Sequence, residues 1–378
     1  MRSLTTTDAD IQREDLTEAQ RRSSMRKATL TQFFGVLGMH SFENGVLLLY
    51  MTVLGIPSVR ILVYLALPNG VSMLFRLPVA YAADRRGKKW FGTVGVTLTT
   101  VGYAAIPVAG FFAGGVQEAF LLAGILVVAL GKMLFAAGWH AIIGGIVPAG
   151  RRGRFYGRMR MWFRIGGIAF TLIVAWLLGR ESPLWVFQAI LTVLVACYAL
   201  RIYFYLQVPE VERTAGPAEG LWPALVHVVQ HSRYVSFCAY VFLLVMFTKG
   251  ALNLFALVEK EFLDFGSGTV VLLATVTMVG SLPGFLSGGW LIDRYGTRYV
   301  FLTCHLGFAV SMIGFVLRDS FPCSVPAALA LMHFLFGFAG AAAGIAISTE
   351  MLALAPTRNR ALSTSLCLSL LLGGASLS

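Results

Sequence analysis

"GWLIDRYGTR", residues 289–298, sets Asp293, Arg294 and Arg298 between two long apolar runs. An earlier stretch repeats it: residues 80–89 read "AYAADRRGKK", with Asp84, Arg85, Gly87 and Lys89 in the matching places. Asp84 to Asp293 is 209 residues, and so is Gly87 to Gly296. Other features keep nearly the same offset. "PAGRRGRFYG" from Pro148 and "PTRNRALSTS" from Pro356 lie 208 residues apart, which relates Arg152 to Arg360, and Asn44 lies 209 before Asn253. A charged turn and its companions repeated at one offset predict two similar halves, the parallel-repeat plan of some transporters.

Composition supplies the solvent. The chain is 57% hydrophobic and 13% charged, against about 25% charged in a soluble domain. Its mean hydropathy is +0.76. A soluble fold of this size could not hide so much apolar surface, so lipid is the expected surroundings. Eleven spans are predicted, at 29–54, 59–83, 90–112, 118–147, 159–179, 183–206, 233–258, 268–292, 299–317, 323–350 and 361–378. Several reach the roughly 20 residues that crossing a bilayer requires. Residues 1–28 form a polar tail, read as a solvated arm with a short surface helix, and not as a signal peptide. Residues 207–232, rich in Pro, Gly and Glu, form a central linker between a six-helix bundle at 29–206 and a second bundle at 233–378.

Charge gives orientation. With the N-terminus in the cytoplasm, the inner loops and tail carry 23 Lys and Arg and the outer loops 4. This asymmetry follows the positive-inside pattern and predicts a cytoplasmic (inner) membrane protein. The net charge of +12 then reflects basic loops facing anionic lipid, and no nucleic-acid partner is expected. The five cysteines form no CxxC pair, so neither a metal site nor a disulfide framework is supported.

The charged turn resembles the G-x-L-x-D-R-x-G-x-R loop of the major facilitator superfamily, which joins the second and third helices of each half. The later copy is complete, with Gly289, Leu291, Asp293, Arg294, Gly296 and Arg298; the earlier one has Ala80 at the first glycine. The resemblance implies an all-α polytopic membrane protein with two pseudo-repeat helix bundles, and a transporter working by alternating access. It implies twelve spans where eleven are counted, so a last helix is expected beyond Ser378. It further implies that Asp84 and Asp293 are acids of a cytoplasmic gate, with Arg152, Arg154, Arg358 and Arg360 as candidate partners. Physically, such an acid can accept hydrogen bonds from free amides at a helix N-terminus. Gly289 admits a close neighbour, and Gly296 permits a tight turn. Arg294 and Arg298 can pair with Asp293 or with lipid phosphates. Basic loops that merely fix topology would read the same way.

Polar groups inside the spans form the second candidate set, since a charge at mid-membrane costs at least ~2.5 kcal/mol and needs a reason. His40, Glu43 and Asn44 share one helix face. Lys132 lies mid-way along span four, Lys249 and Asn253 share a face of span seven, and His333 lies in span ten. Glu43, Lys132, Lys249 and His333 fall 14–17 residues from the inner ends of their spans, about 21–25 Å deep. The resemblance implies that spans one, four, seven and ten line a central cavity, and these are those spans. One acid, Glu43, facing two lysines suggests an anionic solute, and Glu43 is the candidate for carrying a proton. Structural readings stand beside these: a Glu43–Lys132 ion pair, histidines bonded to carbonyls, asparagines joining helices. Arg76, Arg160 and Arg164 are expected to snorkel toward the inner face, and Glu350 to pair with Arg358.

Neither HExxH nor a phosphate loop GxxxxGK[ST] occurs. "HSFE" has no second copy to complete a four-ligand metal site. No enzyme, cofactor or metal is expected, and transport would run on an ion gradient or by facilitated diffusion. Span five, "RIGGIAFTLIVAWLLG", lacks the family's Gly-Pro drug-antiporter signature, which weakens a multidrug-export reading. The expected protein is a monomer moving a small organic solute, with protons as a candidate co-substrate. The rival is a receptor that binds solute without moving it.

Overall fold

A computed structural model describes residues 11–13, 16–43, 46–178, 183–214, 220–265, 267–357 and 359–376. Among these the chain is built of α-helices: α1 (Glu18–Glu43), α2 (Val46–Val53), α3 (Ser58–Arg86), α4 (Lys88–Val108), α5 (Gly114–Ile146), α6 (Arg152–Leu178) and α7 (Leu184–Leu206). After them come α8 (Leu221–Val229), α9 (Ser232–Leu257), α10 (Ser267–Tyr295), α11 (Thr297–Val316), α12 (Val325–Leu354) and α13 (Arg360–Ser376). Nine helices among the described residues are long and apolar enough to cross a membrane, and Arg360–Ala375 is a shorter apolar helix. The first expected span is represented by α1 and α2, with residues 44–45 outside the described residues.

The tail and linker carry more order than their polarity suggests. Thr17 caps α1 reciprocally with Gln20: Gln20 N donates to Thr17 Oγ1 (3.3 Å) and Thr17 N to Gln20 Oε1 (2.9 Å). From there α1 runs unbroken through the polar residues 18–28, most of them exposed, into the apolar stretch, so the short helix expected here continues directly into the first span. Ser24 and Ala28 are buried, and Arg21 Nη1 donates to Ile146 O at 3.0 Å. The linker contributes α8 and a short strand. Glu212–Thr214 (β2) pairs antiparallel with Ile11–Arg13 (β1), Gln12 opposite Arg213.

Two compact units result. Unit 1 comprises Met1–Ile146, Trp162–Val228 and Pro356–Ser365; unit 2 comprises Val147–Met161, Val229–Ala355 and Leu366–Ser378. Each unit thus holds most of one sequence half and a short segment from the other. In unit 1, α4 and α5 meet along glycines: a Cβ on Gly95 would stand 2.5 Å from the Phe135 amide nitrogen. In unit 2, α10 and α12 do the same, a Cβ on Gly337 falling 2.0 Å from Thr277 O. Small residues let backbones approach closely where lipid gives no hydrophobic drive between helices. Large apolar side chains such as Leu172, Trp176, Phe247 and Leu302 remain exposed, as a lipid-facing surface requires.

Three arginines depart from expectation. Arg76 does not reach for the inner end; its Nη2 turns back to Ser72 Oγ at 2.7 Å. Arg160 is held by Ser348 Oγ of α12 at 2.7 Å instead of snorkelling. Arg201, counted above among the inner loop charges, is buried within α7 over the rings of Phe135 (4.1 Å) and Tyr198 (5.2 Å). Cation–π contact supplies part of what water no longer does.

Candidate transport and gating sites

In unit 1, α3 ends at Gly87, whose φ of 108° is open to glycine. This stop leaves Asp84 on the last turn of α3. Its Oδ1 accepts from Ala361 N (3.0 Å) and its Oδ2 from Leu362 N (2.9 Å). These are free amides of the first turn of α13, where the helix dipole favours a negative charge. Lys88 Nζ lies 3.5 Å from Oδ1, and both side chains are almost wholly buried. Ala80, one turn before Asp84, packs with Ala137, Ala141 and Ala361. A further acid, unassigned in the sequence reading, repeats the device: Glu210 of the linker accepts from Lys88 N (2.8 Å) and Lys89 N (3.2 Å), capping α4. Arg85 lies over the Tyr81 ring at 5.2 Å.

Unit 2 holds the second copy. Gly296, φ 87°, ends α10. Asp293 Oδ1 accepts from Gly153 N (2.9 Å), and Oδ2 accepts from Arg154 N (3.0 Å) and Arg154 Nε (2.9 Å). The donors are again the second and third residues of a helix, α6. Gly289 and Gly153 are in backbone contact; a Cβ on either would meet the other's carbonyl oxygen at 2.5 Å. Of the four candidate arginine partners, Arg154 reaches its acid. Arg152 is buried, its Nε donating to Val147 O at 3.4 Å. Arg360 is buried at the start of α13, and Arg358 lies outside the described residues. Arg294 lies over the rings of Trp290 and Tyr295 at 5.4 and 5.6 Å, while Arg298 lines an open groove with Tyr240, Tyr299, Phe301, Leu302 and His305. Glu350 accepts from Thr297 Oγ1 at 2.6 Å.

The polar candidates within the helices divide between the units. In unit 1, Lys132 on α5 is half-buried, its Nζ 5.9 Å from the Tyr103 ring centre. Tyr103 itself donates to Gly38 O on α1. The side chains of His40 and Glu43, and all of Asn44, lie outside the described residues. In unit 2, Lys249 is exposed on α9, and the side chain of Asn253 lies outside the described residues.

His333 is buried at 3% exposure, and it is not bonded to a carbonyl. Its Nε2 is hydrogen bonded to Glu259 Oε1 at 2.7 Å and its Nδ1 to Thr277 Oγ1 at 2.8 Å. Glu259 is fully buried. Glu43 is therefore not the sole acid available to the buried polar set. Sequence reading ended span seven at Val258 and assigned the following charges to an outer loop. In the structure a π-turn, Val258–Phe262, extends α9 and carries Glu259 inward. A local signal existed, an acid directly after an apolar run. The π-turn that carries it leaves no mark in hydropathy. α12 also continues past Glu350, so His333 stands 21 residues from Leu354, about 32 Å along the helix.

The helix count, the paired charged turns and the glycine-spaced packing define a helical membrane transporter built from a duplicated bundle. The chain belongs to the Major Facilitator Superfamily, whose family model matches residues 28–378. It is an integral membrane protein of a transporter family. It is 27% identical over 198 residues to NiaP of Bacillus subtilis (strain 168), a protein named for niacin and nicotinamide transport; the match covers 51% of this chain and about half, 48%, of that relative. Among solved structures, a bacterial homologue of the iron transporter ferroportin in its outward-facing state superposes with a TM-score of 0.73 at 13% identity, covering 95% of this chain and 90% of that one. The E. coli fucose:proton symporter FucP gives 0.69 at 14% identity, covering 93% and 90%. At such identities these two likenesses speak for the fold alone.

Proposed function

We propose that this protein moves a small organic anion across the cytoplasmic membrane by alternating access, driven by an ion gradient, with its N-terminus in the cytoplasm. The observation that carries the reading is the pair of equivalent latches. Two carboxylates 209 residues apart in sequence each close on the second and third amides of a helix that begins after a matching loop. A carboxylate on helix amides is a contact that can be made in one conformation and broken in another, which a gate requires. His40, Glu43, Asn44, Lys132, Lys249, Asn253 and His333 are the proposed lining of the solute pathway. Lys132 and Lys249 favour a carboxylate or phosphate on the cargo. The relative named for niacin, whose acid form is a small aromatic carboxylate, makes that compound the first to try.

The test is uptake of radiolabelled niacin into proteoliposomes, with a neutral sugar as the contrast. Concentrative, saturable niacin uptake is the expected result. Preference for the sugar would sink the anion reading, and saturable binding with no flux would favour a receptor. Glu43→Gln should lose gradient-driven accumulation while keeping exchange.

A further inference from the structure

We propose that Glu259 and His333 form a proton-exchange site, a deepening that rests on the gradient-driven transporter reading. The pair is enclosed. Glu259 is 0% and His333 3% exposed, and the Phe255 ring lies edge-on to the imidazole (5.5 Å) while stacking on Phe315 at 4.1 Å. A lone carboxylate in such a place is costly, and the remedy is a partner or a proton. His333 is that partner on Oε1. Glu259 Oε2, equally buried, has no hydrogen-bond partner among the described residues. A buried oxygen without a partner is an open position for a proton or for a polar group that arrives.

Charge counting follows from the geometry. With one proton shared, the pair is neutral, as carboxylate and imidazolium or as acid and imidazole. Thr277 Oγ1 serves either form, because a hydroxyl both donates and accepts. Losing that proton to water leaves a buried anion; gaining a second, on Oε2, leaves a carboxylic acid beside an imidazolium. The site therefore passes one proton at a time without any other covalent change. The π-turn under Glu259, closed by Leu263 N donating to Val258 O at 2.9 Å, is a rare form that occurs frequently at functional sites.

No other described charge answers the pair. On α10, residues 267–292 carry no ionisable side chain, and Thr277 is the contact. At the end of α11, Arg318 Nη1 donates to Phe315 O at 3.2 Å; Cys304 and His305 lie further along that helix, the latter bonded to Tyr240. On α12 the remaining charge is Glu350, held by Thr297. On α9, Lys249 is exposed ten residues away, and Asp264 beyond the π-turn is exposed. The side chains of Lys260 and Glu261 lie outside the described residues.

Infrared difference titration of the purified full chain in H2O and D2O tests this, reading the carbonyl stretch of a protonated carboxyl. The wild type should show a buried carboxyl that titrates. Glu259→Gln should lose that band, Glu259→Asp should keep it displaced, and His333→Gln should move its midpoint by one pH unit or more, a roughly tenfold change in proton affinity. A band that survives Glu259→Gln, or a midpoint unmoved by His333→Gln, overturns the proposal. If Glu259→Gln fails to fold, an undisplaced band in Glu259→Asp overturns it equally. In proteoliposomes, Glu259→Gln should exchange niacin but not accumulate it under a pH gradient. A wild type that moves no niacin defeats the solute reading alone, since the titration still decides the proton site.

Discussion

The Asp84 and Asp293 latches share a plan and differ in their surroundings. Both acids sit on the last turn before a glycine of positive φ, and both accept from two first-turn amides. Asp84 adds a lysine from just across the glycine turn, Lys88 at the start of α4, buried with it at side-chain exposures of 4% and 1%. Asp293 adds Arg154, 58% exposed, from the helix it caps. A charge buried with its partner is costly to strand, whereas an exposed partner is shared with water. The Ala80 latch keeps a methyl between helices where the Gly289 latch has backbone against backbone. The same motif therefore makes one tight, dry contact and one wetter contact of closer backbone approach.

Asp84→Ala should sharpen the contrast most. It strands Lys88 and two amides, and about 3–5 kcal/mol of stability should be lost in a detergent melt. Asp293→Ala should cost less, roughly 1.5–3 kcal/mol for its charged hydrogen bonds, because Arg154 finds water. Equal losses would break the comparison. Gly289→Ala should cost about 1–3 kcal/mol, since its new methyl meets the Gly153 carbonyl oxygen at 2.5 Å and the helices must part. Ala80→Gly at the other latch should cost only about 0.5–1 kcal/mol, as a helix-interior glycine does. Arg154→Ala comes last, at roughly 0.2–1 kcal/mol, and high salt should erase most of the difference from wild type. A loss as large as that of Asp84→Ala would show that the exposed arginine matters more than its setting implies.

Much of this was legible in the chain. The 209-residue offset reveals the duplication, the repeat glycines mark the turns, and carboxylates ahead of them suggest amide capping. The polar side chains within the helices were less legible. Periodicity places Lys132 and His333 on helices, but the depth of His333 depends on where α12 ends, and a partner lies on another helix. Glu259 shows why: hydropathy ends the span before it, yet it lies in a π-turn that continues α9 and is hydrogen bonded to His333 of α12. Glu210 shows it again, as one acid in a polar linker until the fold brings it to the amides of α4. Arg201 is the converse, a basic residue near a span end that reads as a loop charge and lies buried among rings.

Sequence alone determined the class of solvent, the all-α fold, the duplication and the two acids of the repeated charged turn. These depend on local composition and on spacing along one chain. Tertiary structure decided which amides each acid holds, that Lys88 is buried while Arg154 is not, and that His333 faces Glu259 and Thr277. Hydrogen bonds and burial are properties of groups far apart in sequence, and only their meeting in space fixes whether a charge is paired or solvated.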